Sequence, residues 1–324
     1  MLFESGYHTQ LVKMYEKRAL KTPRYRLKEW DYYYVGNDRY GLATTLADNG
    51  YMWLASVTFF DFANKGEVTR TKMGFFRSPF KMPETSEQGD VHFKKGAFRI
   101  SYEVHGKSRI IKVNMPRFAN TDTLSAEITL TPQINDSMVI VTPFHKAKHF
   151  YYNQKINLLK ASGQIVFGPK SYNMSDNCFG VLDWGRGVWE YKNTWYWSSL
   201  SGMQDGHLIG FNLGYGFGDT SSASENIAFF DQETIKLDDI QFDIPTYEQG
   251  FSYMKTWKIT DASGRIDLEF TPILDRKSKT SVVVISSDQH QVFGFFKGFI
   301  KRKDGSKIEI KNMIGFAERV VNKW

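Results

Sequence analysis

The chain has 324 residues, of which 41% are hydrophobic, 24% charged and 16% aromatic, and its formal net charge is +7. This length exceeds what one ordinary hydrophobic core serves and predicts two domains, and the balanced composition excludes a disordered or fibrous chain. The positive charge is modest for so long a chain, so nucleic-acid binding is not indicated.

Cys178 is the only cysteine, so no intramolecular disulfide can form and nothing indicates an oxidising compartment. The N-terminus lacks the features of a signal peptide, and no segment approaches the roughly 18 apolar residues that span a bilayer. We therefore expect a soluble, cytoplasmic protein. Basic residues gather at Lys13 to Lys28 and at Lys297 to Lys303, where solvation explains them better than weak contact with an anionic membrane surface.

Apolar residues at helical spacing occur at Tyr7 to Leu20 and predict a short N-terminal helix. Strand-like alternation then recurs about every ten residues, with Gly, Asn or Asp in the gaps. In the first half the predicted strands are Arg39 to Leu46, Met52 to Phe62, Phe98 to Val104, Ile110 to Met115, Ala126 to Thr131 and Met138 to Thr142. In the second half they are Leu208 to Leu213, Ile227 to Phe230, Gln241 to Ile244, Met254 to Ile259, Ile266 to Phe270, Val282 to Ile285, Val292 to Phe299 and Lys307 to Ile314.

The residue content agrees with this pattern of many short strands. The chain contains 26 Phe, 17 Tyr and 8 Trp, and aromatic side chains fit the pleated, half-buried surface of a sheet. Its 26 Gly supply the turns and bulges that many strands require. The sequence therefore predicts an all-β protein.

Two pairs of segments indicate an internal duplication. Leu124 to Pro132 resembles Gly264 to Pro272, since both are strand-like and end in Thr-Pro. Glu29 to Tyr34 resembles Thr194 to Trp197 more loosely, because both are aromatic strands followed by a turn. Together the pairs favour two sheets of similar design.

A boundary between the two copies is expected shortly after Pro143, where a strand ends and the apolar alternation lapses. We predict one antiparallel β-barrel or β-sandwich domain at residues 1–147 and a second at 148–324. The second domain would then carry the segment best suited to chemistry.

That segment is Val181 to Trp197, in which aromatic rings surround two acids and an arginine. Charges set among large apolar rings must be paired or have their proton affinities changed, because burying a bare charge is costly. The carboxyl groups nearest to the rings are Asp183, Glu190 and, further along, Glu225. Indole rings disfavour an ionised carboxyl and raise its pKa, so these three are candidate proton donors.

Further motifs accompany this segment along the chain. They are Asp183 to Trp189, Asn193 to Trp197, Gly210 to Gly216 with Asp219, Ser224 to Asn226, and in the first half Arg26 to Tyr32, Gly89 to Val91 and Phe150 to Lys155. In this succession the chain resembles the bacterial family catalogued as domain of unknown function 2804, over nearly its whole length. It departs from the family at Ser224, where Thr is usual, and at Asp231 to Lys236, which replaces an Asp-Gly turn followed by His-Lys.

The resemblance implies a fold similar to the double lipocalin-like β architecture of carotenoid 1,2-hydratases and, more remotely, of tocopherol cyclase and fungal Diels-Alderases. Those proteins act on long isoprenoid or polyketide ligands, so a hydrophobic small molecule or lipid is the expected partner, although a fold alone transfers no reaction. The side chains that we expect to contact it are Trp184, Arg186, Trp189, Trp195, Trp197, Asn212, Asp219 and Asn226.

These residues suit a proton transfer that needs no cofactor. If a polyene lay against the rings, a proton from one of the acids could add to a double bond while indole faces stabilised the cation. Capture of the cation by water would be a hydration, and internal capture an isomerisation or cyclisation. The alternative for Asp183 is a structural ion pair with Arg186, three residues along.

Other kinds of site find little support. The glycines from Gly210 to Gly218 lack the Lys-Ser/Thr ending of a phosphate-binding loop, and His145 and His149 have no third ligand nearby in the sequence. The neighbours of Cys178 offer nothing that would lower the pKa of its thiol, which indicates a packing residue. We therefore expect neither a cofactor nor a metal ion.

Three functions remain open. The first is a lyase or isomerase acting on an isoprenoid-like substrate, which requires an acid inside a cavity. The second is a non-catalytic lipid carrier, in which the same cavity only holds the ligand. The third is a structural or partner-binding protein whose rings fill both domains. The sequence favours a hydrophobic ligand and leaves catalysis, carriage and the oligomeric state undecided.

Overall fold

The computed structural model describes residues 4–175, 177–248, 250–282 and 285–323, and within them the chain forms 24 strands and two single turns of 3-10 helix. The first strands are β1 Gly6–His8, β2 Leu27–Gly36, β3 Tyr40–Asp48, β4 Met52–Asp61, β5 Gly66–Phe75, β6 Val91–Lys95, β7 Phe98–His105, β8 Ser108–Ala119, β9 Asp122–Pro132, β10 Met138–Pro143, β11 Phe150–Phe167, β12 Lys170–Asn173 and β13 Phe179–Val188. The remainder are β14 Lys192–Gln204, β15 His207–Tyr215, β16 Ile227–Phe230, β17 Glu233–Lys236, β18 Ile240–Asp243, β19 Thr246–Tyr247, β20 Gly250–Phe251, β21 Trp257–Asp261, β22 Ile266–Val282, β23 Ile285–Lys301 and β24 Lys307–Lys323. The predicted all-β class is confirmed.

The short helix predicted at Tyr7 to Leu20 is wrong. The start of this segment lies in β1, which pairs with β10, and the 3-10 turns are confined to Lys17–Ala19 and Arg24–Arg26. Val12 and Met14 are 60% and 85% exposed. Tyr15 is the buried apolar residue of the segment, and one buried ring gives too little packing to stabilise a short helix in water.

Most predicted strands coincide with observed ones to within a few residues. Met52 to Phe62 is β4 and Phe98 to Val104 is β7, whereas Met254 to Ile259 begins too early because β21 starts at Trp257. The strand predicted at Val282 to Ile285 falls partly on residues 283–284, which lie outside the described residues.

The described chain gathers into two compact units built from interleaved stretches. Unit 1 comprises Gln10–Ser137 and Tyr152–Trp189, and unit 2 comprises residues 4–9, Met138–Tyr151 and the chain from Glu190 onward. The predicted division after residue 147 falls inside the second stretch of unit 2, and the Asp183 to Trp189 motif belongs to unit 1. No single cut in the sequence separates the two units.

The two units share one strand order. In unit 1 the order is β5-β4-β3-β2-β13-β11-β9-β8-β7-β6, and in unit 2 it is β17-β16-β15-β14-β24-β23-β22-β21-β18. In each unit the last long strand, β13 or β24, inserts beside the aromatic strand, β2 or β14. The aromatic segments that resembled each other in the sequence therefore hold equivalent places.

A pair of glycines reveals the same duplication in the backbone. Gly163 has a φ of +113° and Gly298 a φ of +133°, and a Cβ on either would overlap a carbonyl oxygen of the neighbouring strand. Those oxygens belong to Glu127 and Asp267, which occupy matching positions in the two Thr-Pro segments. Each unit requires glycine at this place because the neighbouring backbone occupies the space of a side chain.

Each sheet curls and encloses its own core. In unit 1 the Trp53 ring lies 5.6 Å from that of Phe93, although β4 and β6 are far apart in the strand order. In unit 2 Phe242 of β18 contacts Tyr215 of β15 at 5.5 Å. Such contacts close an antiparallel sheet around apolar side chains, so the predicted lipocalin-like architecture is confirmed. Among the described residues, no helix has the length and apolar character needed to cross a membrane.

Candidate functional site

Asp183 and Arg186 both lie on β13 but point to opposite faces of its sheet. Successive side chains on a strand alternate between faces, so residues three positions apart cannot share one. The alternative prediction of an ion pair between these two residues is therefore wrong. Each finds its partners on a different face.

Asp183 is buried and its charge is compensated by side chains of β11. Its Oδ1 accepts a hydrogen bond from Asn153 Nδ2 at 2.6 Å and lies 3.0 Å from Lys155 Nζ. Asn153 also donates to the carbonyl of Trp184 at 2.8 Å. Because a buried carboxylate needs a counterion and hydrogen-bond donors, these partners explain how Asp183 is tolerated in a buried position.

Arg186 is fully buried and is held by hydrogen bonds on several sides. Its Nη1 donates to Asp31 Oδ1 at 2.9 Å and to the Trp30 carbonyl at 2.8 Å. Its Nε and Nη2 donate to the carbonyl of Pro83 at 3.1 and 3.0 Å. The guanidinium carbon lies 4.4 Å from the centroid of a Trp184 ring. The acid that Arg186 contacts is therefore Asp31.

Asp31 stands opposite Trp184 in the register of β2 and β13. Burial raises the pKa of Asp31 above its ordinary value, and the guanidinium of Arg186 acts in the opposite direction without cancelling the rise. The negative charge of Asp183 raises the pKa of Asp31 further. A carboxyl group with a raised pKa can retain a proton and donate it.

Sequence reasoning missed Asp31. It looked for a proton donor in Asp183, Glu190 and Glu225, because they lie nearest to the tryptophans along the chain. A signal was nevertheless present in Glu29 to Tyr34, where an acid interrupts an aromatic strand. An acid at a core-facing position of a buried strand is rare unless it is paired, and its partner is 155 residues away in the sequence.

Asp31 belongs to a group on the inner face of unit 1 that we call the interior polar cluster. Its members are Asp31, Tyr33, Thr44, Tyr102, Arg109 and Arg186. Tyr33 stands opposite Thr44 in the register of β2 and β3, and its ring lies 4.6 Å from that of Tyr102. Arg109 is buried beside Tyr33 and donates to the Ser86 carbonyl at 3.1 Å. Burial raises the pKa of both tyrosines, so their hydroxyls keep their protons.

The interior polar cluster retains unused hydrogen-bonding capacity. The hydroxyls of Thr44 and Tyr102 and the Nε of Arg109 are buried without completed hydrogen bonds. Thr44 lies close enough to the Tyr102 hydroxyl to oppose the rise of its pKa, but the two groups do not reach normal hydrogen-bond geometry. Buried polar groups are nearly always paired in proteins, so such groups mark a place that can receive a polar atom of a ligand.

In unit 2 the structure joins three of the predicted residues in a chain of hydrogen bonds, which we call the Trp–Asn–Glu chain. Trp197 Nε1 donates to Asn212 Oδ1 at 2.6 Å, and Asn212 Nδ2 donates to the Glu225 carbonyl at 2.8 Å and to its Oε2 at 3.2 Å. A side chain at Gly214 would overlap the Glu225 carboxyl group. The glycine therefore allows the acid to lie against the strand.

Trp195 has a different acidic partner that the sequence did not reveal. Its Nε1 donates to Glu318 Oε1 at 2.8 Å, and Gln291 Nε2 donates to Glu318 Oε2 at 3.1 Å. Glu318 stands opposite Trp197 in unit 2, at the position equivalent to Asp183 in unit 1. It lies in an alternating strand without a motif, so the internal repeat alone could have pointed to it.

Three predicted site residues make local structural contacts. Glu190 Oε1 accepts from the backbone nitrogen of Lys146 at 2.8 Å. Asp219 is exposed, and the backbone N–H of Ser221 lowers the pKa of its carboxyl. Asn226 accepts from Gly214 N at 2.7 Å and donates to a carbonyl at 3.0 Å. These contacts fix loops and strand ends, and a role in ligand contact stays a prediction for all three.

The aromatic motif is divided between the two units. Trp184, Arg186 and Trp189 lie in unit 1 with Asp183, and the Trp189 ring meets that of Trp30 edge to face at 5.0 Å. The members in unit 2 are Glu190, Trp195, Trp197, Asn212, Asp219, Glu225 and Asn226. Their predicted roles in catalysis or ligand contact stay predictions.

Within the described ranges, no three His, Cys, Asp or Glu side chains come together as ligands for a metal ion. Cys178 is buried, and its Sγ accepts a hydrogen bond from Asn37 at 3.3 Å. This contact agrees with its interpretation as a packing residue.

The fold and these clusters define a class of all-β protein in which two lipocalin-like units each hold buried acids beside aromatic side chains. The chain belongs to the family DUF2804, described as a domain of unknown function, which matches residues 1–324. A comparison with curated proteins gives no match.

Solved structures of other proteins share the fold over nearly the whole chain. The protein assigned as AttH from Nitrosomonas europaea is 14% identical, with a TM-score of 0.54, over 96% of this chain and 97% of that one. Kievitone hydratase from Nectria haematococca is 12% identical, with a TM-score of 0.50, over 98% and 97% of the two chains. CghA, solved with Sch210972, is 8% identical, with a TM-score of 0.50, over 92% and 88%. At these identities the similarity establishes the fold.

Proposed function

We propose that the protein binds a hydrophobic, isoprenoid-like ligand and, without a cofactor, hydrates, isomerises or cyclises it after protonating a double bond. The observation that carries this proposal is Asp31, a carboxyl group buried in an aromatic core with a raised pKa. One protein of the same fold is named a hydratase and another was solved with a small molecule, which supports this class of function.

Asp31 is the proton donor of this proposal. Arg186 donates to Oδ1, so Oδ2 carries the transferable proton. When that proton moves to an alkene carbon, the π electrons form the new C–H bond and leave a cation on the neighbouring carbon. The resulting Asp31 carboxylate is stabilised by the guanidinium 2.9 Å away. Addition of water to the cation and return of one proton to Asp31 completes a hydration and restores the acid.

The tyrosines of the interior polar cluster supply the rest of the site. One face of Trp184 already meets Arg186, so the rings of Tyr33 and Tyr102 are better placed to face a cation near Asp31. The free capacity of the Tyr102 and Thr44 hydroxyls suits an oxygen at the polar end of the ligand. This arrangement favours an apolar molecule with one hydroxyl or carbonyl group.

Glu225 is a second proposed proton donor, in unit 2. It is half-buried, and the Trp–Asn–Glu chain orients its carboxyl group through Asn212. Trp197 fixes Asn212 in turn, so the acid is positioned by two successive hydrogen bonds. Comparison of Asp31 and Glu225 variants assigns the reaction to one unit.

A non-catalytic carrier is the alternative, and one observation favours it. The hydrogen bond between Asp31 and Arg186 makes a compensated buried pair of the kind that serves structure alone. In a carrier the ligand is retained, and substitution of either acid leaves it chemically unchanged.

The test begins with native mass spectrometry of the protein purified from its own host, to identify a copurified apolar molecule. Conversion of that molecule is then measured for the wild type, Asp31→Asn and Glu225→Gln, with Asp243→Asn, at an exposed position of β18, as the matched control. Loss of the general acid is expected to lower the rate by about 100-fold or more for Asp31→Asn and to leave the control unchanged.

Two measurements separate lost chemistry from lost folding. Near-ultraviolet circular dichroism reports whether the aromatic core of each variant is intact. Tyr102→Phe removes one hydroxyl of the interior polar cluster and keeps the ring, so the core of this variant should stay packed. Since Asp31 must be protonated to act, the wild-type rate should fall as pH rises through its raised pKa. Full conversion by a folded Asp31→Asn protein would refute the assignment, and retention without conversion by the wild type would identify a carrier.

A further inference from the structure

The open end of the β4–β5 hairpin in unit 1, away from the turn that joins the two strands, exposes large apolar side chains. Met73 is 55% exposed, Phe75 67% and Phe76 79%. Single exposed apolar residues are common on protein surfaces, but three within four positions are not. Their arrangement therefore needs a physical explanation.

These side chains form one continuous surface with the neighbouring strand. Phe75 stands opposite Met52 and Met73 opposite Leu54 in the register of β4 and β5, so both pairs project from the same face. Met52 and Leu54 are half-buried. We call this surface the β4–β5 patch, and it consists of Met52, Leu54, Met73, Phe75 and Phe76.

The backbone holds Phe76 outward at a conformational cost. Its φ is +67°, in the left-handed region that bulky residues avoid. Its N–H donates to the Tyr51 carbonyl at 2.7 Å, which fixes the turn. The ring gains no burial in return, because it is the most exposed member of the patch. A bulky side chain held in a strained conformation and presented to solvent is characteristic of a binding surface.

Positive charge accompanies the patch. Arg77 follows Phe76 directly, and both Arg77 and Arg24 are exposed. Arg70 and Lys72 stand opposite Val57 and Ala55, so they project from the other face of β5. The ring of Tyr25 is 53% exposed nearby, since Gly50, in the turn before β4, packs against the backbone of Arg24 and Tyr25. Aromatic rings flanked by basic side chains fit the interface of a bilayer that contains anionic lipids.

We propose that the β4–β5 patch docks onto an anionic lipid bilayer, with Phe75 and Phe76 entering the interface while Arg24 and Arg77 contact the headgroups. A second copy of the chain fits less well, because β5 is an edge strand and its basic side chains would repel those of an identical edge. This inference is independent of the proposed reaction, since it uses no residue of the interior polar cluster.

Cosedimentation with phosphatidylcholine vesicles, with and without about 30% phosphatidylserine, tests the proposal. The wild type should bind the anionic vesicles, and more weakly as salt is added. Phe75→Ser/Phe76→Ser should lower the partition coefficient by about tenfold or more, and Arg77→Gln should weaken the preference for phosphatidylserine. Tyr247→Ser/Met254→Ser removes apolar side chains that are 65% and 50% exposed elsewhere on the protein and should bind like the wild type.

Phe76→Gly guards against a result caused by misfolding. Glycine accepts the positive φ without strain and loses no buried area, so this variant should be at least as stable to heat as the wild type while binding vesicles less. Absence of wild-type binding, or equal binding by all variants, would overturn the proposal. So would a dimer in sedimentation velocity that the Phe75→Ser/Phe76→Ser change dissolves, because that would identify a second copy as the occupant.

Discussion

Lys28 shows at the scale of one residue what burial does to an ionisable group. The residue is 1% exposed, and its ammonium donates to the carbonyls of Tyr25 and Asn49 at 2.7 and 2.9 Å and lies over the Tyr51 ring. Burial lowers its pKa to about 7, and the nearby charge of Arg26 adds to the effect. Two carbonyl dipoles therefore do not replace the water that a lysine loses.

This shift predicts how stability depends on pH. Folded Lys28 titrates at about 7 and unfolded Lys28 near its ordinary 10.5, so between these values the unfolded chain binds more protons. The free energy of unfolding should consequently rise with pH across that window and be insensitive to Lys28 below it. Urea denaturation between about pH 6 and pH 10 measures the slope.

Lys28→Met should lose this contribution to the slope, whatever its effect on stability at a single pH. Lys94→Met, at an exposed position on β6, is the matched control and should retain it. Equal slopes for the wild type and Lys28→Met would show that burial does not shift this lysine.

At the scale of elements, β13 completes unit 1 by inserting beside β2. Gly185 stands opposite Trp30 in this pair, and a Cβ at Gly185 would overlap the indole ring. The ring covers the glycine and meets Trp189 edge to face. The Trp-Gly-Arg sequence is therefore a packing requirement as much as a chemical one, because Gly185 makes room for one ring while Arg186 faces the other way.

Gly185→Ala should destabilise the protein by roughly 1–3 kcal/mol, because the Trp30 ring must move out of a packed position. Thermal or urea unfolding measures the loss, and near-ultraviolet circular dichroism should report the displaced indole. Gly66→Ala is the control, because the nearest atom to its added Cβ is 4.0 Å away. Similar stabilities of the two variants would contradict the packing argument.

For the whole molecule, the interleaving of the two units decides how the chain can be divided. A fragment of residues 1–147 lacks β11 and β13, so β9 and β2 lose the strands that pair with them. The same fragment carries β1 and β10, which belong to unit 2. Neither half of the sequence contains one complete unit.

Residues 1–147 expressed alone should therefore be unfolded by circular dichroism and by the dispersion of amide signals in NMR. Co-expression with residues 148–324 should restore a folded complex, because the cut falls in an exposed turn and leaves every strand intact. Two halves that fold independently would instead support the domain boundary predicted from the sequence.

Much of the fold could be predicted from local pattern. Alternation and turn residues located most strands, and the Thr-Pro repeat revealed two units of one design. The N-terminal helix failed because helical spacing is decisive only where a core receives it, and Val12 and Met14 meet none. For the site, the Trp–Asn–Glu chain joins predicted residues, whereas Asp31 and Glu318 were missed because their partners are distant in sequence.

The sequence by itself determined that the chain folds into two lipocalin-like sheets rich in aromatic rings, because strand alternation, turn residues and family motifs are local properties. Only the tertiary structure decided that Asp183 pairs with Lys155 and Arg186 with Asp31. Those pairings depend on which strand inserts beside which and on the face that each side chain takes. Both are settled when distant strands meet, so no local pattern contains them.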